Sequence, residues 1–287
     1  MAAKGLTRSL KRLARAGGKV DTPEVLEWVS RAGYGARGFV YLSIGLLAAL
    51  AAVELARTPA GARGAVTAFA EGWLGQLWIA GLAAGLIGFS VWRGLQAVLD
   101  ADRQGTEPMA LVSRAGQAIS GLMYGGLAWS LLELLDELED IGEADENQDA
   151  RQMAAEVMAI PFGHWLLIGV GLFVVAVGIA GIVQLFRPKF GEKLSCPARS
   201  HRWLCWVGRI GYGARGVAFL ALGYTLVRAG WDFSSSEARN MGGALQALEA
   251  QPFGSPLLFL TGVGLAAFGA FALIEARWRR INAPDPL

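Results

Sequence analysis

Residues 30–45 read S-R-A-G-Y-G-A-R-G-F-V-Y-L-S-I-G, and residues 208–223 read G-R-I-G-Y-G-A-R-G-V-A-F-L-A-L-G. The two stretches agree at nine of sixteen positions, and each leads into a long apolar run. A phrase that places two arginines among glycines, and recurs at the head of apolar runs, marks a structural unit used more than once. A third, more divergent copy lies between them: residues 113–128 read S-R-A-G-Q-A-I-S-G-L-M-Y-G-G-L-A, matching the first at six positions. All three copies keep Arg31/Arg114/Arg209, Gly33/Gly116/Gly211 and Gly38/Gly121/Gly216, followed by an aromatic at Tyr41/Tyr124/Phe219. The arginines are 83 and 95 residues apart, room for two membrane-length segments per unit.

The runs themselves set the class. The chain is 54% hydrophobic and 17% charged, against roughly 25% charged for soluble domains. Apolar runs fall at roughly 37–54, 74–98, 116–135, 162–186, 210–229 and 255–276, each near the length of about 20 residues that crosses hydrocarbon. Backbone groups in lipid must be satisfied within the segment, so these runs are helices. The fold expected is an all-α integral membrane protein of six transmembrane helices, arranged as three tandem two-helix hairpin repeats. The 39 glycines fit that class, because small residues let membrane helices approach closely. Gly81 with Gly85 and Gly121 with Gly125 have the GxxxG spacing.

The organisation follows: a basic cytoplasmic segment 1–21, unit one 22–100, unit two 107–187 with an acidic outer loop 133–149, unit three 197–280 and a tail 281–287. No cleavable signal peptide is read in residues 1–20, which are basic without an apolar core. Six spans sort the 26 Lys and Arg into 21 on one side and 5 on the other. Lys and Arg stay on the cytoplasmic side, so both termini are expected there, in a bacterial inner (plasma) membrane. Asp21-Thr22-Pro23-Glu24 has the look of a helix start and is read as opening a short cytoplasmic helix. Trp28, Trp203 and Trp206 are expected at headgroup level. Short interfacial helices are expected over 150–160, 242–250 and, more weakly, 64–72, the first two ending at Pro161-Phe162-Gly163 and Pro252-Phe253-Gly254.

With these features the chain resembles a bacterial membrane family defined by a domain of unknown function, DUF1206, in its three tandem two-helix units opening on R-x-G-Y-x-A-R-G-like phrases. The resemblance covers about residues 25–280. Unit two departs from the phrase, with Gln117, Ile119 and Ser120 where unit one has Tyr34, Ala36 and Arg37. The resemblance implies no activity.

Two readings of the phrase stand side by side. In one, Arg31, Arg37, Arg114, Arg209 and Arg215 snorkel to lipid phosphates, Tyr34 anchors the interface, and Gly33, Gly38, Gly116, Gly121, Gly211 and Gly216 admit neighbouring helices. In the other, the arginines and helix starts form an anion or lipid-headgroup site. Near the inner ends Gln96, Gln184 and Glu275 align, which suggests that Arg215 meets Glu275 and pins its own hairpin.

Other candidates are weaker. Cys196, His201 and Cys205 are spaced C-x4-H-x3-C, three soft ligands without a fourth nearby. His164 stands at the outer mouth of the fourth run without a nucleophile in its context. The acidic run Glu133–Asp149 lacks EF-hand spacing. No metal, cofactor or nucleic-acid partner is expected, and no catalytic residue is identified. The run interiors carry no Asp, Glu, Lys or Arg over 39–53, 74–92, 116–132, 163–186, 216–227 and 255–274, whereas ion and proton pathways show such residues. The sequence therefore points first to a structural module that interacts with membrane lipids, a second copy or a membrane partner. A channel or carrier for a small or lipid-like solute is the alternative. A membrane enzyme ranks last, and the reading leans away from catalysis.

Overall fold

In the computed structural model, described over residues 22–55, 59–68, 72–100, 105, 107–136, 146–186 and 198–278, every regular element is a helix. The basic segment 1–21, the tail 281–287, Cys196 and most of the acidic loop lie outside the described residues. The helices are α1 Thr22–Ala52, α2 Ala62–Thr67, α3 Gly72–Leu99, α4 Pro108–Asp136, α5 Glu146–Ala159, α6 Gly163–Phe186, α7 Ala198–Trp231, α8 Met241–Glu249 and α9 Gly254–Trp278. Six of them are long and apolar enough to cross a membrane: α1, α3, α4, α6, α7 and α9.

The helices that open the units run straight through the repeated phrase. Among the described residues the short helix expected before the span is not separate from it: α1 continues from Thr22 to Ala52 and α7 from Ala198 to Trp231. The phrase glycines keep ordinary helical backbone, since among the described residues the one glycine with positive φ is Gly105. They serve packing rather than bending.

Neighbouring spans follow a rule that crosses the units. With the units taken cyclically, the odd helix of each packs most closely on the even helix of the one before it: α1 on α9, α4 on α3 and α7 on α6. Glycines make each approach. A methyl group added at Gly38 would lie 2.9 Å from Gly269 O on α9, at Gly121 3.2 Å from Ser90 O on α3, and at Gly216 2.6 Å from Gly178 O on α6. Without a hydrophobic drive between helices in lipid, such close backbone contact is what holds them. Within units one and three the hairpin partners also pack, α1 with α3 and α7 with α9. The order α4, α3, α1, α9, α7, α6 thus curls into a ring of pseudo-threefold character, open between α4 and α6.

The short helices α2, α5 and α8 sit at the end of the bundle away from the phrases, near the expected positions. The Pro-Phe-Gly turns after α5 and α8 share one geometry: Phe162 and Phe253 have φ of 63° and 61°, the left-handed region that costs a non-glycine residue energy. The following Gly163 and Gly254 cannot carry a side chain, because a Cβ would meet Val157 O and Glu249 O respectively. Exposed Trp28, Trp203 and Trp206 lie at the phrase end, compatible with headgroup anchoring.

Candidate functional site

Two of the three arginines that the phrases share, Arg31 and Arg114, are helix caps. Arg31 Nη1 donates to the carbonyls of Ala276 and Arg277, 2.8 Å each, at the C-terminus of α9. Arg114 does the same at the C-terminus of α3, donating to Ala97 O at 2.8 Å and Val98 O at 2.9 Å. The last carbonyls of a helix lack intrahelical partners and carry negative partial charge, so a guanidinium suits them. In each case the capped helix belongs to a neighbouring unit, unit three for Arg31 and unit one for Arg114. Arg31 also pairs with Glu27 at 2.6 Å. Arg209 stacks on Trp206, 5.4 Å from the ring centre.

The second phrase arginine has a different task. Arg37 Nη2 meets Glu275 Oε2 at 2.8 Å, and both side chains are buried, 4% and 3% exposed. This corrects the expected pairing of Glu275 with Arg215: the ion pair joins unit one to unit three. The reason is the packing rule, which places α9 against α1 more closely than against α7. Tyr34 is also not an interface anchor. It is fully buried, edge-on to Phe89 at 5.2 Å. Tyr212 repeats this on Phe268 at 4.9 Å. Phe89 and Phe268 stand in turn under the guanidiniums: Arg37 lies 5.1 Å from Phe89 and 5.2 Å from Phe268, Arg215 5.1 Å from Phe268, and Arg93 5.0 Å from Phe89.

Arg215 and Arg93 face a cavity of about 470 Å³ enclosed by α1, α3, α4, α6 and α7, with Ala62 of α2 and Met241 of α8 at its far end. Arg215 Nε donates to the Tyr41 hydroxyl at 3.3 Å, a long bond to a neutral acceptor. Tyr41 in turn shares a hydrogen bond with Tyr124. Among the described residues no carboxylate lines the cavity, and none pairs with Arg215. Polar groups gather toward the phrase end, at Ser113, Gln117 and Ser120, while Ile44, Leu127, Phe219 and Leu222 make the far half apolar.

Comparison with known proteins gives the architecture a family. The model of a family described as Domain of Unknown Function (DUF1206) matches three times, over residues 32–100, 115–186 and 210–279. The chain belongs to the DUF1206 family. It is also 28% identical over 269 residues to a protein of Bacillus subtilis strain 168 named Uncharacterized protein YxxB, covering 92% of this chain and 95% of that one. No solved structure matches the chain.

Within this DUF1206 chain the cavity exists because unit two breaks the pattern of the other two. Counting back eleven residues from Gln96 and Glu275 gives Gly85 and Gly264. A methyl group at Gly85 would sit 2.8 Å from Ala36 Cβ, and one at Gly264 would meet Ala214 Cβ. The equivalents in unit two are Phe173 and Ile119, too large for that contact. Gly33 and Gly211 press on the backbones of Phe89 and Phe268, at 2.7 Å and 2.5 Å from their Cα atoms for an added methyl. Their counterpart Gly116 has nothing within 4 Å, and the counterpart of the two phenylalanines is Val177. So α4 and α6 stand apart where the sibling hairpins close.

The remaining candidates divide. Gly121 and Gly125 both rest on α3 at Ser90, whose hydroxyl donates to Gly121 O at 2.7 Å, whereas Gly81 faces open space. Cys205 is buried and forms no disulfide. His164 stacks on Phe233 at 4.5 Å. No group of three metal-ligating residues occurs among the described residues. Sequence reasoning missed Arg93, Phe89 and Phe268, although the alignment of Gln96 with Glu275 carried the signal for both phenylalanines, seven positions earlier.

Proposed function

We propose that this chain is a protein of the bacterial plasma membrane, with both termini cytoplasmic, that holds an anionic amphiphile of the inner leaflet in the cavity of unit two. The orientation rests on the 21-to-5 division of Lys and Arg. The observation that carries the binding reading is Arg215: a guanidinium that pairs with no carboxylate among the described residues, in a cavity that is polar toward the phrase end and apolar in its far half. Charges inside a bilayer are expensive without a partner, and an anionic headgroup supplies one while its chain fills the apolar half. The cationic end and apolar far half support a held amphiphile more than a passing ion, since charged solutes need polar groups along the whole path. A structural role follows from the same reading, because the ligand would bridge α4 and α6 where the protein leaves them apart.

The test is native mass spectrometry of the protein from nanodiscs of mixed phosphatidylcholine and phosphatidylglycerol. Retention of an anionic amphiphile by the native chain, and its loss in Arg215→Ala, is the expected result. Bare protein, or equal retention by Arg215→Ala, would refute the reading.

A further inference from the structure

We infer that Tyr124 is a head-binding residue of this cavity: its hydroxyl ends a hydrogen-bond relay that runs from Arg215 through Tyr41, and donates to an oxygen of the anionic head beside Arg215. The inference rests on the binding reading above and adds a second recognition group, which is neutral and belongs to a different unit. It starts from the aromatic that each copy of the repeated phrase carries at the same place. Those residues, Tyr41, Tyr124 and Phe219, stand on three different helices, and all three line the cavity. Phe219 has no hydroxyl, and the Arg215 guanidinium lies over its ring, 4.3 Å from the centre. The two tyrosines are buried, 7% and 9% exposed, and meet each other through their hydroxyls.

The role follows from counting donors. Arg215 Nε donates to the Tyr41 hydroxyl at 3.3 Å, and Tyr41 and Tyr124 share one hydrogen bond. Each phenol brings one O–H, and the bond between them uses only one of the two. Among the described residues neither hydroxyl has a further hydrogen-bond partner. One O–H is therefore unspent whichever way the pair is oriented. Hydrogen bonds in a chain strengthen one another when each hydroxyl accepts on one side and donates on the other. With a cation donating to Tyr41, that order runs Arg215, Tyr41, Tyr124, so the unspent O–H belongs to Tyr124. The Nη groups of Arg215 also meet no acceptor among the described residues. The cluster thus presents unspent hydrogens at both ends, and a buried donor without an acceptor is costly. An oxyanion answers both ends, because one oxygen can accept from Arg215 and another from Tyr124.

Native mass spectrometry from phosphatidylcholine nanodiscs carrying stepped fractions of phosphatidylglycerol or of oleate tests the inference. Tyr124→Phe should raise the fraction needed for half retention about tenfold or more, the scale of one hydrogen bond to a charged group. Tyr41→Phe should weaken retention by less, since Tyr124 keeps its O–H and loses only its orientation. The double Phe variant should match Tyr124→Phe alone, as members of one relay do. Additive losses, or a larger loss for Tyr41→Phe, would overturn the relay with Tyr124 at its end. Undiminished retention by Tyr124→Phe, with the probe lost in Arg215→Ala, would mean that water serves the hydroxyl; it would overturn this inference and leave the binding reading standing. A lowered unfolding midpoint of the lipid-free protein with retention unchanged would assign the pair to packing and overturn it as well. Should Tyr124→Phe fail to fold, 3-fluorotyrosine in place of Tyr124 keeps the ring and strengthens the donor, and should tighten retention; no change would overturn the inference. A native chain that retains neither probe would overturn both readings.

Discussion

Arg37 and Glu275 lie 238 residues apart in the chain and meet at 2.8 Å, both shielded from solvent, so that the first unit is tied to the last. The pair closes one side of the ring, and it sits between Phe89 and Phe268, whose faces add a cation–π attraction to Arg37. Removing one member of a buried pair leaves the other charge uncompensated, at about 3–5 kcal/mol. Arg37→Ala and Glu275→Gln should each destabilise on that scale, and the double variant by far less than the sum. The coupling energy, read from thermal or denaturant unfolding in one detergent, should exceed that measured for Arg215→Ala with Glu275→Gln. The opposite ranking would mean that the third unit pins itself.

Arg31 and Arg114 secure neighbouring units by capping. Replacing either with Ala frees two helix-terminal carbonyls and should cost about 1–2 kcal/mol, because the caps are charged but partly exposed. Lysine should restore only part of the loss, since one ammonium cannot match the fork that reaches both carbonyls. Unfolding midpoints of Arg31→Ala, Arg31→Lys and the Arg114 equivalents check this. Full rescue by lysine would reduce the caps to simple charge.

Much of this architecture was legible in the sequence, and the remainder was not for identifiable reasons. Hydropathy runs located the six spans, because helix length in lipid is fixed by the bilayer. Pro161-Phe162-Gly163 and Pro252-Phe253-Gly254 located the turns after the short helices. Which helix each glycine faces was not legible: Gly38 looks the same in sequence whether it meets its own hairpin partner or α9. That ambiguity led to pairing Glu275 with Arg215 and to placing Tyr34 in the headgroups, although Phe89 across the hairpin buries it. The cavity was hidden for a related reason. Gln117, Ile119 and Ser120 were visible departures, but their counterparts Phe173 and Val177 acquire meaning only when set against Gly85, Phe89, Gly264 and Phe268 on aligned helices.

The orientation is testable with cysteines at described, exposed positions. In a background lacking Cys196 and Cys205, Gln152→Cys on α5 should react with a membrane-impermeant maleimide in intact cells. Arg202→Cys near the start of α7 should react only after the cells are opened. Cys205 itself is a poor reporter, since it is buried whichever side it faces. The reverse labelling would invert the topology and place the cationic end of the cavity outside.

The three equivalent glycines at the start of the phrase should respond to alanine with opposite signs. At Gly33 and Gly211 the added methyl would press into the backbones of Phe89 and Phe268, and overpacking of this kind costs about 1–3 kcal/mol. At Gly116 the methyl meets nothing within 4 Å, so the intrinsic helix preference for alanine over glycine, up to about 1 kcal/mol, is left unopposed. Gly33→Ala and Gly211→Ala should therefore lower the unfolding midpoint, while Gly116→Ala leaves it unchanged or raises it. A loss at Gly116 equal to that at Gly33 would mean that α4 and α6 close against each other in the membrane as the other hairpins do, and that the lateral opening is absent.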